Sequence, residues 1–150
     1  MSHENAELAS LLVDFSNDFL KPFINQYGRT IRQVDPPALI FIEGVPTRGL
    51  PNWTEDDLVG IVDSSHWYDA LTLLTKRWIS FLSIDVDTRR LILGARKVLA
   101  SFRQALRTMK EQTRKKLGAV PTLIGEFGIP FDLQKKRSYR TGRFDQQIKA

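Results

Sequence analysis

Apolar residues return every three or four positions at the start of the chain: Leu8, Leu11, Leu12, Phe15 and Phe19, then Phe23, Tyr27, Ile31 and Val34. That spacing predicts helix over 5–34 with one buried face. Pro22 interrupts it, because a proline has no amide hydrogen to offer a helix interior, so a new helix is expected to begin there. Asp35-Pro36-Pro37 stops it. Ala38-Leu-Ile-Phe-Ile42 is a continuous apolar run that reads as a buried strand, followed by Glu43-Gly44. Residues 44–57, with Gly44, Pro46, Gly49, Pro51 and Asn52, read as loop. Gly60-Ile-Val-Asp63 reads as a second short strand leading into Ser65-His-Trp-Tyr-Asp69.

Residues 70–95 fit two templates. Leu71, Leu74, Trp78, Phe81 and Leu82 fit an amphipathic helix or a lid, while Ile84, Val86, Leu91 and Leu93 fit a short hairpin over 84–93. The pattern over 96–116 is plainly helical. Val98, Phe102, Ala105, Leu106 and Met109 form one face, Arg103, Arg107, Lys110 and Arg114 another, and Gly118 is a natural C-cap. A third strand is expected at about 120–124, then loop, then a final helix from Phe144. Helix, strand, loop, strand, helix, strand is the order of an α/β chain with parallel strands and helical crossovers.

The third strand ends in Pro121-Thr-Leu-Ile-Gly-Glu-Phe-Gly-Ile-Pro130, which sets a carboxylate, Glu126, between two glycines at a strand tip. Gly125 and Gly128 would let backbone or ligand come close to the acid. The C-terminal ends of parallel strands lie on one side, so Glu43, His66 with Tyr68, and Glu126 would converge on one cleft. Along an extended segment His66 and Tyr68 share a face and Trp67 takes the other. Trp53, Trp67 and Tyr68 offer flat amphipathic rings suited to sugars; Trp67 fits a core position equally well. Taken singly, a glutamate after a strand also fits a salt-bridge partner, and a lone histidine a satisfied core residue.

Composition adds exclusions. At 150 residues, 42% hydrophobic and 26% charged, the chain is long enough for one domain with a core. It has no cysteine, hence no disulfide or thiolate metal site, and His3 and His66 are its only histidines, so no metal and no cofactor are expected. Gly-x-x-x-x-Gly-Lys-Ser/Thr and Gly-x-Ser-x-Gly are absent. Asn52-Trp-Thr54 matches a glycosylation acceptor, which matters only in a secreted protein. The N-terminal residues lack the regions of a signal peptide, so a cytoplasmic address is the default. The net charge of +5 concentrates in 96–116 and 135–143. Those stretches read either as solvated faces or as contacts to nucleic acid or an anionic membrane surface.

Phe41-Ile-Glu-Gly44, His66-Trp-Tyr-Asp69 and Leu123-Ile-Gly-Glu-Phe-Gly-Ile-Pro130 together resemble glycoside hydrolase family 5. Within it they are most similar to the endoglycoceramidase-related β-glucosidases that act on glucosylceramide and sterol glucosides. Tyr139-Arg-Thr-Gly-Arg-Phe-Asp-Gln-Gln147 resembles that group too, so the likeness runs from about Phe19 to Ala150. It implies a TIM (β/α)8 barrel and a retaining mechanism, with Glu126 as the nucleophile after the seventh strand. Tyr68 and His66 would follow the sixth strand, the tyrosine holding the nucleophile ionised and the histidine contacting the sugar. Glu43, after the fifth, and Trp67 would line the substrate subsites.

The departures are as informative. The family's acid/base is the Glu of an Asn-Glu-Pro motif after the fourth strand, and this chain has no Asn-Glu dipeptide. The family's Trp after the eighth strand has no counterpart, since the last tryptophan is Trp78. A barrel of this type runs to about 250 residues. The resemblance therefore implies a fragment of one catalytic domain holding about strands five to seven with their helices. Its partners would be a β-glucoside or glycolipid and an upstream half of the same barrel, with peripheral contact to a membrane and no nucleic acid. Two other classes stay open: a small basic α/β module that binds an anionic partner, and a carbohydrate-binding pseudoenzyme that kept the aromatics and lost the acid.

Overall fold

The computed structural model describes residues 13–45, 48–86 and 88–150; Leu8, Leu11, Leu12 and Pro46 of the patterns above lie outside them. The chain divides into two compact units. The first joins 1–65 to 111–123, the second 66–110 to 124–150.

In the first unit, helix α1 (Lys21–Val34) follows a π-helical turn, Ser16–Leu20. The Lys21 N–H reaches back five residues to the Ser16 carbonyl. Pro22 sits in the first turn of α1, where a missing amide hydrogen costs nothing, so the wide turn precedes it and a regular helix follows. Strands β1 (Ile40–Ile42) and β2 (Ile61–Asp63) pair in parallel, with Ile40 opposite Ile61 and Ile42 opposite Asp63. Ile24, Ile40, Ile42, Leu50, Leu58, Ile61 and Leu117 form one buried cluster. Gly28 lets α1 come close to it: a Cβ there would fall 2.1 Å from Leu58 Cδ2.

The strand expected at 120–124 is reduced to one parallel bridge, Asp63 to Thr122. The Asp63 N–H donates to the Pro121 carbonyl (3.0 Å) and Leu123 N–H to the Asp63 carbonyl (2.7 Å). Pro121 brings no donor of its own, and β2 ends at Asp63, so the ladder stops there. The Asp63 side chain, 1% exposed, accepts from the Ser65 amide (3.0 Å) and hydroxyl (2.6 Å) and from the Thr113 hydroxyl. Trp53 is half-buried against the core and its indole N–H donates to the Leu58 carbonyl, so it is packing rather than a sugar platform.

The second unit resolves the ambiguous stretch. Helix α2 (Ala70–Thr75) is short and ends at Lys76 in the left-handed conformation, φ 55°. Strands β3 (Leu82–Asp85) and β4 (Arg90–Leu93) form an antiparallel hairpin. Helix α3 (Ala95–Leu117) starts directly after it and crosses from the second unit into the first at Lys110. Helix α4 (Leu133–Thr141), in a region read as loop, opens with a left-handed turn at Gln134, Lys135 and Lys136, and Leu133 is 1% exposed. Helix α5 (Asp145–Lys149) follows Phe144. The rings of Tyr139 and Phe144 lie 6.3 and 5.2 Å from that of Phe131.

Asp57 ties the long loop of the first unit to α1. It accepts from Lys21 (2.7 Å), Asn25 (2.9 Å) and both the amide and hydroxyl of Thr54. Burial alone would raise its pKa; the bonds from Lys21, Thr54 and Asn25 outweigh that and hold it below the usual carboxylate value. A lowered carboxylate stabilises the fold above its unfolded value, and that contribution disappears as pH falls through the lowered one. Asp57→Ala is expected to cost about 1–3 kcal/mol. Asp57→Asn should flatten the acid limb of the thermal-stability profile, and an unchanged acid limb would refute the assignment.

Candidate active site

The site lies in the second unit and is built from two segments without regular secondary structure, 66–69 and 124–130. The Trp67 N–H donates to the Glu126 carbonyl at 2.9 Å, which fixes one main chain against the other. The Tyr68 hydroxyl then donates to Glu126 Oε2 at 2.7 Å, and His66 Nδ1 lies 3.4 Å from the same oxygen. Trp67, between them, turns its ring edge-on to Phe102 at 5.0 Å. Glu43 follows β1 in the first unit, where it is exposed. His66, Tyr68 and Glu126 are thus brought together, while Trp67 is half-buried on helix α3.

The electrostatics are set by one bond. A hydroxyl donated to a carboxylate favours the ionised acid and the neutral phenol. The Tyr68 pKa is accordingly raised, first by the Glu126 hydrogen bond, then by burial and by the Glu126 charge. The Glu126 side chain stays 58% exposed. Gly128 takes φ 143°, a conformation that side-chain-bearing residues rarely adopt; nothing lies within 4 Å of a Cβ placed there, so the glycine is needed for backbone shape rather than close approach.

Sequence reasoning passed over two supports. Asp69, directly before α2, accepts from the Thr72 hydroxyl (2.5 Å) and from the Ser83 hydroxyl of β3 (2.8 Å); Thr72 and Ser83 are each 1% exposed. An aspartate preceding a helix is a legible capping signal, but its tie to a strand 14 residues away is not. Next to Tyr68 opens a cleft of about 570 Å³, walled by Leu73, Ile129, Pro130, Phe131 and Tyr139, with the Lys76–Asp132 pair (3.4 Å) among its lining residues. Among the described residues no group of three or more histidine or acidic side chains could hold a metal ion.

No protein-family model matches the chain. Curated relatives do. It is 30% identical to a glucosylceramidase of Cryptococcus neoformans var. grubii, over 92% of this chain and 20% of that protein. It is 28% identical to a glucosylceramidase of Aspergillus fumigatus (91% and 20%) and 26% identical to an ergosteryl-β-glucosidase of Saccharomyces cerevisiae (92% and 20%). Among solved structures it matches Cryptococcus neoformans sterylglucosidase 1 with a TM-score of 0.82 and 31% identity, over 92% of this chain and 21% of that one. The resemblance to glycoside hydrolases therefore holds. More narrowly, the chain is homologous to the glucosylceramidases and sterylglucosidases, and it spans about a fifth of their length.

Since the Tyr68 phenol is raised by its bond to Glu126, the bond persists as pH climbs past the ordinary tyrosine value and is lost only on passing the raised one. In an ultraviolet difference titration of the three tyrosines, Glu126→Gln is expected to bring one phenol back down. Superimposable curves for the two proteins would show that no such bond exists in solution.

Proposed function

We propose that this chain supplies the nucleophile side of a retaining β-glucosidase site. The observation that carries the reading is the short bond from Tyr68 to Glu126. It aims an exposed carboxylate, as an acid that attacks carbon must be aimed. In the reaction, a Glu126 oxygen forms a bond to the anomeric carbon while the glycosidic C–O bond breaks. A second, protonated acid gives its proton to the departing oxygen. Water then attacks the same carbon, releases Glu126 and returns a proton to the second acid. Such a pair stands roughly 5 Å apart, too close for a water between sugar and nucleophile.

In this reading Tyr68 orients Glu126, His66 contacts the sugar, and Glu43 and Trp67 belong to the substrate subsites. β1, β2 and the Thr122 segment are strands five to seven of a (β/α)8 barrel. The second acid comes from an Asn-Glu-Pro segment, which this sequence does not contain, carried by the remaining part of the same barrel. The substrate is a β-glucoside of lipid or sterol type, after the names of the relatives.

Purified alone, residues 1–150 are expected to be poorly stable or to aggregate, and to leave aryl β-glucosides intact. Co-expressed with a chain holding the Asn-Glu-Pro half of the barrel, they should form an active complex that Glu126→Gln silences by roughly a thousandfold or more. Turnover by the chain alone, abolished by Glu126→Gln, would overturn the fragment reading. Full activity of the complex with Glu126→Gln would remove the nucleophile assignment.

A further inference from the structure

The β3–β4 hairpin carries its polarity the wrong way round. Directly opposed residues of an antiparallel pair share a face. Leu82 opposes Leu93 and Ile84 opposes Leu91, so four aliphatic side chains form one face. The other face includes Ser83, 1% exposed and bonded to Asp69, and is therefore turned to the protein. The β4 half of the apolar face looks out: Leu91 is 66% and Leu93 64% exposed, while Leu82 and Ile84 are half-buried. Val86 at the hairpin turn and Leu99 in the first part of α3 are also exposed, at 60% and 51%.

Three cations adjoin the hairpin in the chain, with Asp85 before Val86 the acid at the end of β3. Arg89 lies in the turn, and Arg96 and Lys97 in the first turn of α3, all exposed, with no acidic residue in that helical turn. Positive charge there opposes the helix dipole, so it brings α3 no local stability. We propose that the hairpin and the start of α3 form a docking surface for an anionic lipid bilayer. Leu91, Leu93 and Val86 enter the interface, and Arg89, Arg96 and Lys97 meet the headgroups.

Three alternatives fit less well. Nucleic acid is gripped by cations interleaved with rings that stack on bases, and this face holds no ring. A second copy of the chain on this face would bring two sets of the same three cations into one interface. Water alone would not call for Leu91 and Leu93 on one solvent face. The proposal goes beyond the glycosidase reading and does not depend on it.

Vesicle flotation of the full chain tests it, with only the protein that stays in the supernatant of a high-speed spin loaded, so that aggregation is removed before binding is read. The chain is expected to float with phosphatidylcholine vesicles containing phosphatidylserine, hardly at all with phosphatidylcholine alone, and less as salt rises. Arg96→Gln with Lys97→Gln should weaken binding roughly 30-fold. Leu91→Asn with Leu93→Asn should weaken it roughly tenfold or more with an unchanged circular dichroism spectrum. No flotation, equal flotation with both vesicle types, or binding unaffected by both double variants would overturn the proposal. So would a single-stranded oligonucleotide, or self-association of the chain, that uses the same residues in place of lipid.

Discussion

A side chain at the tip of an irregular segment has no neighbours of its own to hold it. Glu126 is held by the Tyr68 hydroxyl on its side chain, from 58 residues away, and by the Trp67 amide on its carbonyl. The two contacts act together, the amide fixing where the glutamate begins and the hydroxyl where its carboxylate ends. The hydroxyl is also the right donor chemically. In the proposed reaction the attacking acid must keep its charge; a cation would neutralise it, whereas a phenol orients the carboxylate and keeps its own proton, as the raised Tyr68 pKa reflects.

Tyr68 must itself be held, and the support comes from the next residue. Asp69 accepts hydroxyls from Thr72 and Ser83, both buried, so helix α2 and strand β3 meet on a single carboxylate. The first unit ends in a similar device, since Asp63 gathers the Ser65 amide and hydroxyl and the Thr113 hydroxyl. In both places an aspartate at the end of a segment is satisfied by hydroxyls rather than by a cation. Hydroxyl donors impose direction, which a flexible ammonium does not.

Much of this was legible in the residues. Pro22 marks the start of α1, and the run Ile40-Phe-Ile42 marks β1, because a missing donor and an unbroken apolar stretch each admit few structures. His66 and Tyr68 reach Glu126 together, as alternation places them, although the segment is not a strand. What could not be read rests on tertiary pairing. Residues 70–95 fit two templates, with a hairpin over 84–93 as one of them, until Leu82 finds Leu93. The left-handed turn at Gln134–Lys136 has no glycine to announce it; such a conformation costs roughly 1–2 kcal/mol per residue, and the burial of Leu133 beside it is a contact that no local pattern encodes. The Thr122 segment looked like a full strand because its apolar run carries no sign of where its partner β2 ends.

The outward leucines follow from the same geometry that holds the site. Side chains along a strand alternate, so turning Ser83 inward to reach Asp69 turns Leu82 and Ile84 the other way, and pairing sends Leu91 and Leu93 with them. A slip of one residue would bury the leucines, but it would also withdraw the Ser83 hydroxyl from Asp69 and release the residue that follows Tyr68. The hairpin cannot hide its apolar face and anchor Asp69 at once. The register that steadies Tyr68 against Glu126 is therefore the register that leaves Leu91 and Leu93 on the outside, with Leu82 and Ile84 only half-buried behind them, and any solution that covers them has to come from beyond the described residues.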